Sequence, residues 1–177
     1  IGVAESRDFA VYLNGLGNVQ GLNTVSVRSR VDGQIVAVRF KEGQEVKAGE
    51  VLVEIDPKPF QAALNQALAR RAQDVAQLDN AKADLVRVEG LIKTKVETPQ
   101  KRDTQKALVD QLEATVQADD AAIEAAQVQL DYATVRSPIN GRTGLRQVDE
   151  GNVVRAGDQE PIVVVTQVTP VSVVFTL

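Results

Sequence analysis

Two hydrophobic periods run along this chain. Between Phe60 and Ala133 apolar residues recur three and four apart, the period of an amphipathic helix. Val109, Leu112, Val116, Asp119, Ile123, Ala126, Leu130 and Ala133 hold that spacing throughout, with one acid in the series. It is the seam of a coiled coil. Phe60, Leu64, Ala67, Leu78, Ala81, Leu85, Val88 and Ile92 repeat it upstream, interrupted at Arg71 and Asp74. Outside this stretch, short apolar alternation such as Ile35, Val38 and Phe40 predicts half-buried strands.

Glycine and proline mark the same division. The middle carries only Gly90 and Pro99, whereas both flanks are rich in each. These residues punctuate structure, so the middle is expected to be long helix and the flanks short strands and turns. Pro57 and Pro59 stand where a helix can begin. Thr98-Pro99 reads as a second start, with Thr98 as N-cap and Pro99 in the first turn. Helices are expected at roughly 59–94 and 99–133, each about 50–55 Å long at 1.5 Å per residue. The short link near 95–98 forces them antiparallel, with a tip near 93–99. So thin a hairpin has little interior, which leaves its outer faces for lateral contacts with copies of itself or a partner.

The flanks are two halves of one repeat. Gly33, Glu42, Gly43, Val46, Ala48 and Gly49 match Gly141, Glu150, Gly151, Val154, Ala156 and Gly157, every pair 108 residues apart. Lys47 and Arg155 correspond as well, and the apolar runs 51–55 and 162–165 follow after a small insertion. The glycines are read as structural, at turns that need positive φ or close backbone approach. Neither half can bury a core alone, so together they should make one small sandwich, with the hairpin inserted between them.

Composition narrows the chemistry. The chain has 177 residues, 20 Lys+Arg against 24 Asp+Glu, and no Cys, His, Met or Trp. Disulfides, thiol catalysis and thiolate zinc sites are excluded. The usual general base and the soft ligands of a copper or silver relay are missing. There is no basic block for nucleic acid and no GxxxxGK[ST] loop for nucleotide. Asp119, Asp120 and Glu124 read as a solvated or inter-helix face, because carboxylates alone are weak evidence for catalysis. No enzyme activity, metal or cofactor is expected. The absence of an initiator Met suggests a processed or trimmed segment. No apolar run is long enough to span a bilayer.

The half-motif G-x-I…EG-x-x-V-x-AG-x-x-L, seen at Gly33–Leu52, resembles the biotinyl/lipoyl fold. Split by a long α-hairpin, it resembles the periplasmic adaptors, or membrane fusion proteins, of resistance-nodulation-division (RND) efflux pumps. Val27–Asp56, Ala81–Glu97 and Leu130–Gly151 carry the likeness. The implied fold class is α+β and elongated: a split lipoyl-like sandwich at 29–56 and 134–167, a hairpin at 57–133, and part of an adjoining β-barrel at 1–28 and 168–177. The implied role is a periplasmic adaptor attached to the inner membrane of a Gram-negative bacterium. It would join an inner-membrane RND transporter to a TolC-like outer-membrane channel and oligomerise as a hexamer.

By that resemblance the tip docks on the channel through an Arg, a Leu four residues on, and a Ser seven beyond. Here these are Arg87, Leu91 and Thr98, with Thr in place of Ser. Each has a plainer alternative. Arg87 can pair with Asp84 or with an acid on the facing helix. Leu91 can pack in the hairpin. Thr98 can serve only as the N-cap. Gly90 can admit a partner helix or mark a frayed tip. Two rival functions stay open. A lipoate or biotin carrier needs a Lys at the turn joining the halves, where Lys58 is the nearest. An adaptor for an ABC exporter or type I secretion system would more often carry a longer hairpin.

Overall fold

The computed structural model describes residues 4–6, 8, 16–94, 96 and 98–175. The expected strand region at 9–15 lies outside these. Ten short strands flank two long helices: β1 (Gly17–Gly21), β2 (Thr24–Val27), β3 (Gly33–Val38), β4 (Glu45–Val46), β5 (Val51–Ile55), α1 (Lys58–Lys93), α2 (Pro99–Tyr132), β6 (Thr134–Arg136), β7 (Gly141–Thr143), β8 (Val153–Val154), β9 (Val163–Thr166) and β10 (Val171–Phe175).

The strands interlock. One sheet has the order β2-β9-β7-β4 and the other β6-β5-β3-β8, so each half of the repeat supplies strands to both. Between them lie Ile35, Leu52, Val53, Ile55, Val163 and Val165, all at most 1% exposed. Burying an aliphatic side chain of this size contributes roughly 1.5–3 kcal/mol, which makes these six the main stabilising group.

Offset by 108, the hydrogen bonds of one half recur in the other. Asn140 Oδ1 accepts from the Ala48 amide and Asp32 Oδ1 from the Ala156 amide, both at 2.7 Å. Glu50 Oε2 accepts from Lys47 N and Asp158 Oδ2 from Arg155 N, both at 2.9 Å. Gly43 N donates to the Thr143 carbonyl at 3.0 Å, and Gly151 N to that of Ile35 at 2.9 Å. The two halves are therefore related by a pseudo-two-fold and clasp one another. Ser29 and Ser137, also a matched pair, each donate to a carbonyl two residues on, at Val31 and Ile139. The repeat thus begins at Val27-Arg28-Ser29 and Val135-Arg136-Ser137, six residues before the first match noted from the glycines.

That extension moves one boundary. Residues 1–28 were expected to belong with the barrel. Thr24–Val27 instead pair with β9 inside the sandwich, and Val27 is 6% exposed in its core. Its 108-residue mate Val135 explains why, since the second half uses that position the same way. Only β1 and β10 form a separate two-stranded ribbon, in register from Gly17↔Phe175 to Gly21↔Val171.

α1 and α2 run for 36 and 34 residues. Asp56 Oδ1 accepts from the Lys58 amide at the start of α1, which offsets one of the amides a helix start leaves unpaired. The seam follows the expected heptad. Leu78, Ala81 and Val109 are buried, with Leu85, Leu112 and Val116 packed against them.

Candidate functional site

Cross-helix polar contacts run along the shaft of the hairpin. Arg70 Nε lies 3.3 Å from Asp119 Oδ1, Arg71 pairs with Asp120, and Lys82 Nζ is 2.8 Å from Glu113 Oε1. Gln105 Nε2 donates to the Ala81 carbonyl at 3.1 Å. Beyond that bond, towards the tip, no cross-helix hydrogen bond or ion pair joins the described residues. The distal end is held by Leu85, Val88 and Ile92, each half-buried.

Arg87 and Leu91 share one face of α1, being one turn apart. Arg87 Nη1 donates to Asp84 Oδ1 at 2.6 Å, and the side chain stays 74% exposed. The Asp84 alternative is therefore the one the structure contains. The pair is solvated, and an exposed i,i+3 pair contributes well under 1 kcal/mol, so a partner can replace it at little cost. Leu91 is 42% exposed: Ile92, not Leu91, enters the seam. The Leu91 carbonyl closes the tip, accepting from Val96 N at 3.0 Å and Thr94 Oγ1 at 2.9 Å. Val96 is also exposed, as is Val86 one residue before Arg87.

Thr98 caps α2. Its backbone is extended, and its hydroxyl accepts from the Lys101 amide at 3.4 Å. An added Cβ at Gly90 would meet nothing within 4 Å, so the position opens onto solvent. The structure thus places Arg87, Gly90 and Leu91 along the last turns of α1, with Thr98 across the turn at the start of α2. Basic and acidic side chains nearly balance at this end, with Arg102 engaged by Asp103 at 2.7 Å.

The repeat glycines fall into three kinds. Gly43, Gly49 and Gly151 have φ of 72°, 86° and 91°. A Cβ on Gly33 would lie 2.5 Å from Ile55 Cγ2, and one on Gly141 2.5 Å from the Thr166 carbonyl oxygen. Gly157 has neither feature: its φ is not positive and nothing lies within 4 Å. The small insertion that follows breaks the symmetry there, so a demand for glycine at Gly157 does not hold.

Lys58 opens a helix rather than sitting on an exposed β-turn, so the structure gives a prosthetic group no carrier turn at that residue. Among the described residues no group of His, Cys, Asp or Glu is suited to a metal ion. No described helix is long and apolar enough to cross a membrane.

An interlocked sandwich with a coiled-coil hairpin issuing from between its halves is the architecture of membrane fusion proteins. Residues 23–166 match the barrel-sandwich hybrid domain of RND membrane fusion proteins, and the chain belongs to that family. It is an adaptor family, not one of enzymes. Multidrug resistance protein MdtA of Pectobacterium carotovorum is 51% identical over 175 residues, 99% of this chain and 42% of that protein. MdtA of Escherichia coli is 52% identical over 166 residues, 94% of this chain and 40% of that protein. The chain thus spans about two-fifths of the length of these relatives. Among solved structures, a MacA-MexA chimera carrying the Pseudomonas aeruginosa MexA α-hairpin aligns with a TM-score of 0.60 at 30% identity, covering 85% of this chain and 50% of that one. ZneB of Cupriavidus metallidurans aligns at 0.60 with 26% identity, covering 89% and 66%.

Proposed function

We propose that this chain is the sandwich and hairpin of a periplasmic adaptor in a tripartite efflux pump. The adaptor, attached to the inner membrane of a Gram-negative cell, links an inner-membrane RND transporter to a TolC-like outer-membrane channel. Copies assemble, as a hexamer, into a sealed conduit with the hairpins as its sheath. Drug export is the role suggested by the names of the MdtA relatives. The exposed apolar ribbon of β1 and β10, with Val171, Val173 and Phe175 each about half exposed, is the base of the adjoining barrel.

One observation supports tip docking above all. Arg87 and Leu91 stand exposed on one face of the last turns of α1, and neither side chain takes part in the pairing with α2. Arg87 offers several donors to carbonyls or a carboxylate of the channel, and Leu91 an apolar plug beside it. Photo-crosslinking tests this in cells. A photoreactive residue replaces Val96 in the full-length protein, and adducts are identified by mass spectrometry. An outer-membrane channel in the adduct is expected. Adducts containing only further copies of this protein would overturn tip docking.

A further inference from the structure

The seam of the hairpin contains a flaw that its sequence repeats on both helices. Arg71 and Asp74 occupy seam positions of α1, and Asp119 occupies one of α2. Asp119 is 5% exposed, less than most apolar residues of the seam. Arg70 Nε touches only its Oδ1, at 3.3 Å, and lies 4.0 Å from Asp74 Oδ2. Oδ2 of Asp119 is buried with no hydrogen-bond partner. A buried carboxylate oxygen left unpaired is costly, and a second carboxylate facing it makes the ionised form costlier.

We propose that Asp119 carries a proton and donates it to the Asp74 carboxylate across the hairpin, so that mid-shaft pairing of α1 with α2 is tighter in acidic than in neutral solution. A proton on Asp119 turns one of its oxygens into a donor with the Asp74 carboxylate as acceptor, and a repulsion becomes a cross-helix hydrogen bond. Neither nearby arginine satisfies that oxygen. Arg70 is 73% exposed and supplies one contact, while Arg71 is committed to Asp120. The remaining charge near the pair, Asp120, is a further acid that opposes ionisation of Asp119.

The electrostatics agree in direction. Burial pushes the Asp119 carboxyl above the usual carboxylate range, the neighbouring Asp74 carboxylate pushes it the same way, and Arg70 opposes them. A carboxyl raised in the folded state stabilises fully below its ordinary pKa of about 3.9, and that stabilisation fades as pH rises through the folded value. The neutral-pH hairpin is therefore looser at 70–74 and 119–120 than its heptad implies. The apolar seam on either side confines the loosening to mid-shaft.

Hydrogen exchange on the full-length protein tests this. Protection is measured at pH 4 and pH 7.5, corrected for intrinsic exchange, in peptides spanning 70–78 and 115–123. Peptides from β5 serve as internal reference. Protection in the hairpin peptides is expected to fall severalfold from pH 4 to pH 7.5 while β5 stays constant, and to become flat in both Asp119→Asn and Asp74→Asn. If Asp119→Asn fails to fold, Asp74→Asn decides the matter, since Asp74 is the more exposed partner. A flat wild-type profile, or a wild-type slope surviving in the folded variants, overturns the proposal.

Discussion

The sandwich and the hairpin solve the burial problem in opposite ways. In the sandwich, short strands of two to six residues are individually negligible, yet their interlocking drives six aliphatic side chains to at most 1% exposure. In the hairpin, two helices of more than thirty residues bury only Leu64, Leu78, Ala81, Val109 and Asp119. The longest elements thus have the poorest core. The sandwich is complete in itself, whereas the hairpin presents most of its surface outward. A region whose stability comes from elsewhere is free to use its side chains on a partner.

The contrast breaks most readily in the sandwich. Leu52→Ala removes a side chain of 0% exposure from between the sheets. A loss of about 2–5 kcal/mol is expected, read from urea unfolding followed by circular dichroism. The same change at Leu91 should leave the unfolding midpoint close to wild type. Equal losses at the two sites would dissolve the distinction.

A smaller effect separates conformational demand from packing. Gly151→Val forces a branched residue to adopt a φ of 91°. It should cost about 1–3 kcal/mol and lower the protein's abundance in cells without altering crosslinking from the tip. Gly157→Ala, at the matched position without positive φ, should be nearly neutral in the same unfolding assay. An abundant, wild-type-stable Gly151→Val protein would count against the turn geometry.

The pseudo-two-fold makes a finer prediction. Asp32→Ala and Asn140→Ala each remove one side-chain acceptor from a backbone amide of the other half. Each should cost about 1 kcal/mol, and the two costs should match within error, as measured by thermal unfolding. A clear inequality would show that the clasp is symmetric in geometry alone.

The legibility of the two regions differs as their physics does. The hairpin is written locally: the heptad, the glycine-poor middle and Thr98-Pro99 specify α1 and α2 to within about a residue of Lys58–Lys93 and Pro99–Tyr132. The interlocked sheets are not local. No pattern in Val27 or Val163 announces that β2 pairs with β9 across 135 intervening residues, or that Asp32 caps the amide of Ala156. A signal was available, because Val27-Arg28-Ser29 repeats at 108, but this segment lacks the glycines that mark the rest of the repeat. At the tip, heptad phase alone distinguishes Leu91 from Ile92. Four residues on from Val88 leads to Ile92 and three leads to Leu91, and packing against α2 admits Ile92. Asp119 was legible as a seam position and, with Asp120 and Glu124, as a solvated or inter-helix face. Its unpaired oxygen required the facing Asp74 and the reach of Arg70.

The smallest stability effect should carry the largest functional one. Arg87→Glu exchanges an exposed pair with Asp84 for a like-charge neighbour one turn away. Such surface changes cost a few tenths of a kcal/mol, so melting temperature and helix content should be indistinguishable from wild type. Nothing in α1 or α2 leans on the guanidinium except Asp84, and the seam residues Leu85 and Val88 beside it are untouched. If the tip is a docking surface, the variant loses drug resistance and channel crosslinking while the full-length protein accumulates normally. Retained resistance would mean that the exposure of Arg87 is incidental. The hairpin's outward surface would then act through its sides, in contacts between copies, and the contrast between a self-sufficient sandwich and a partner-seeking hairpin would survive with a different partner.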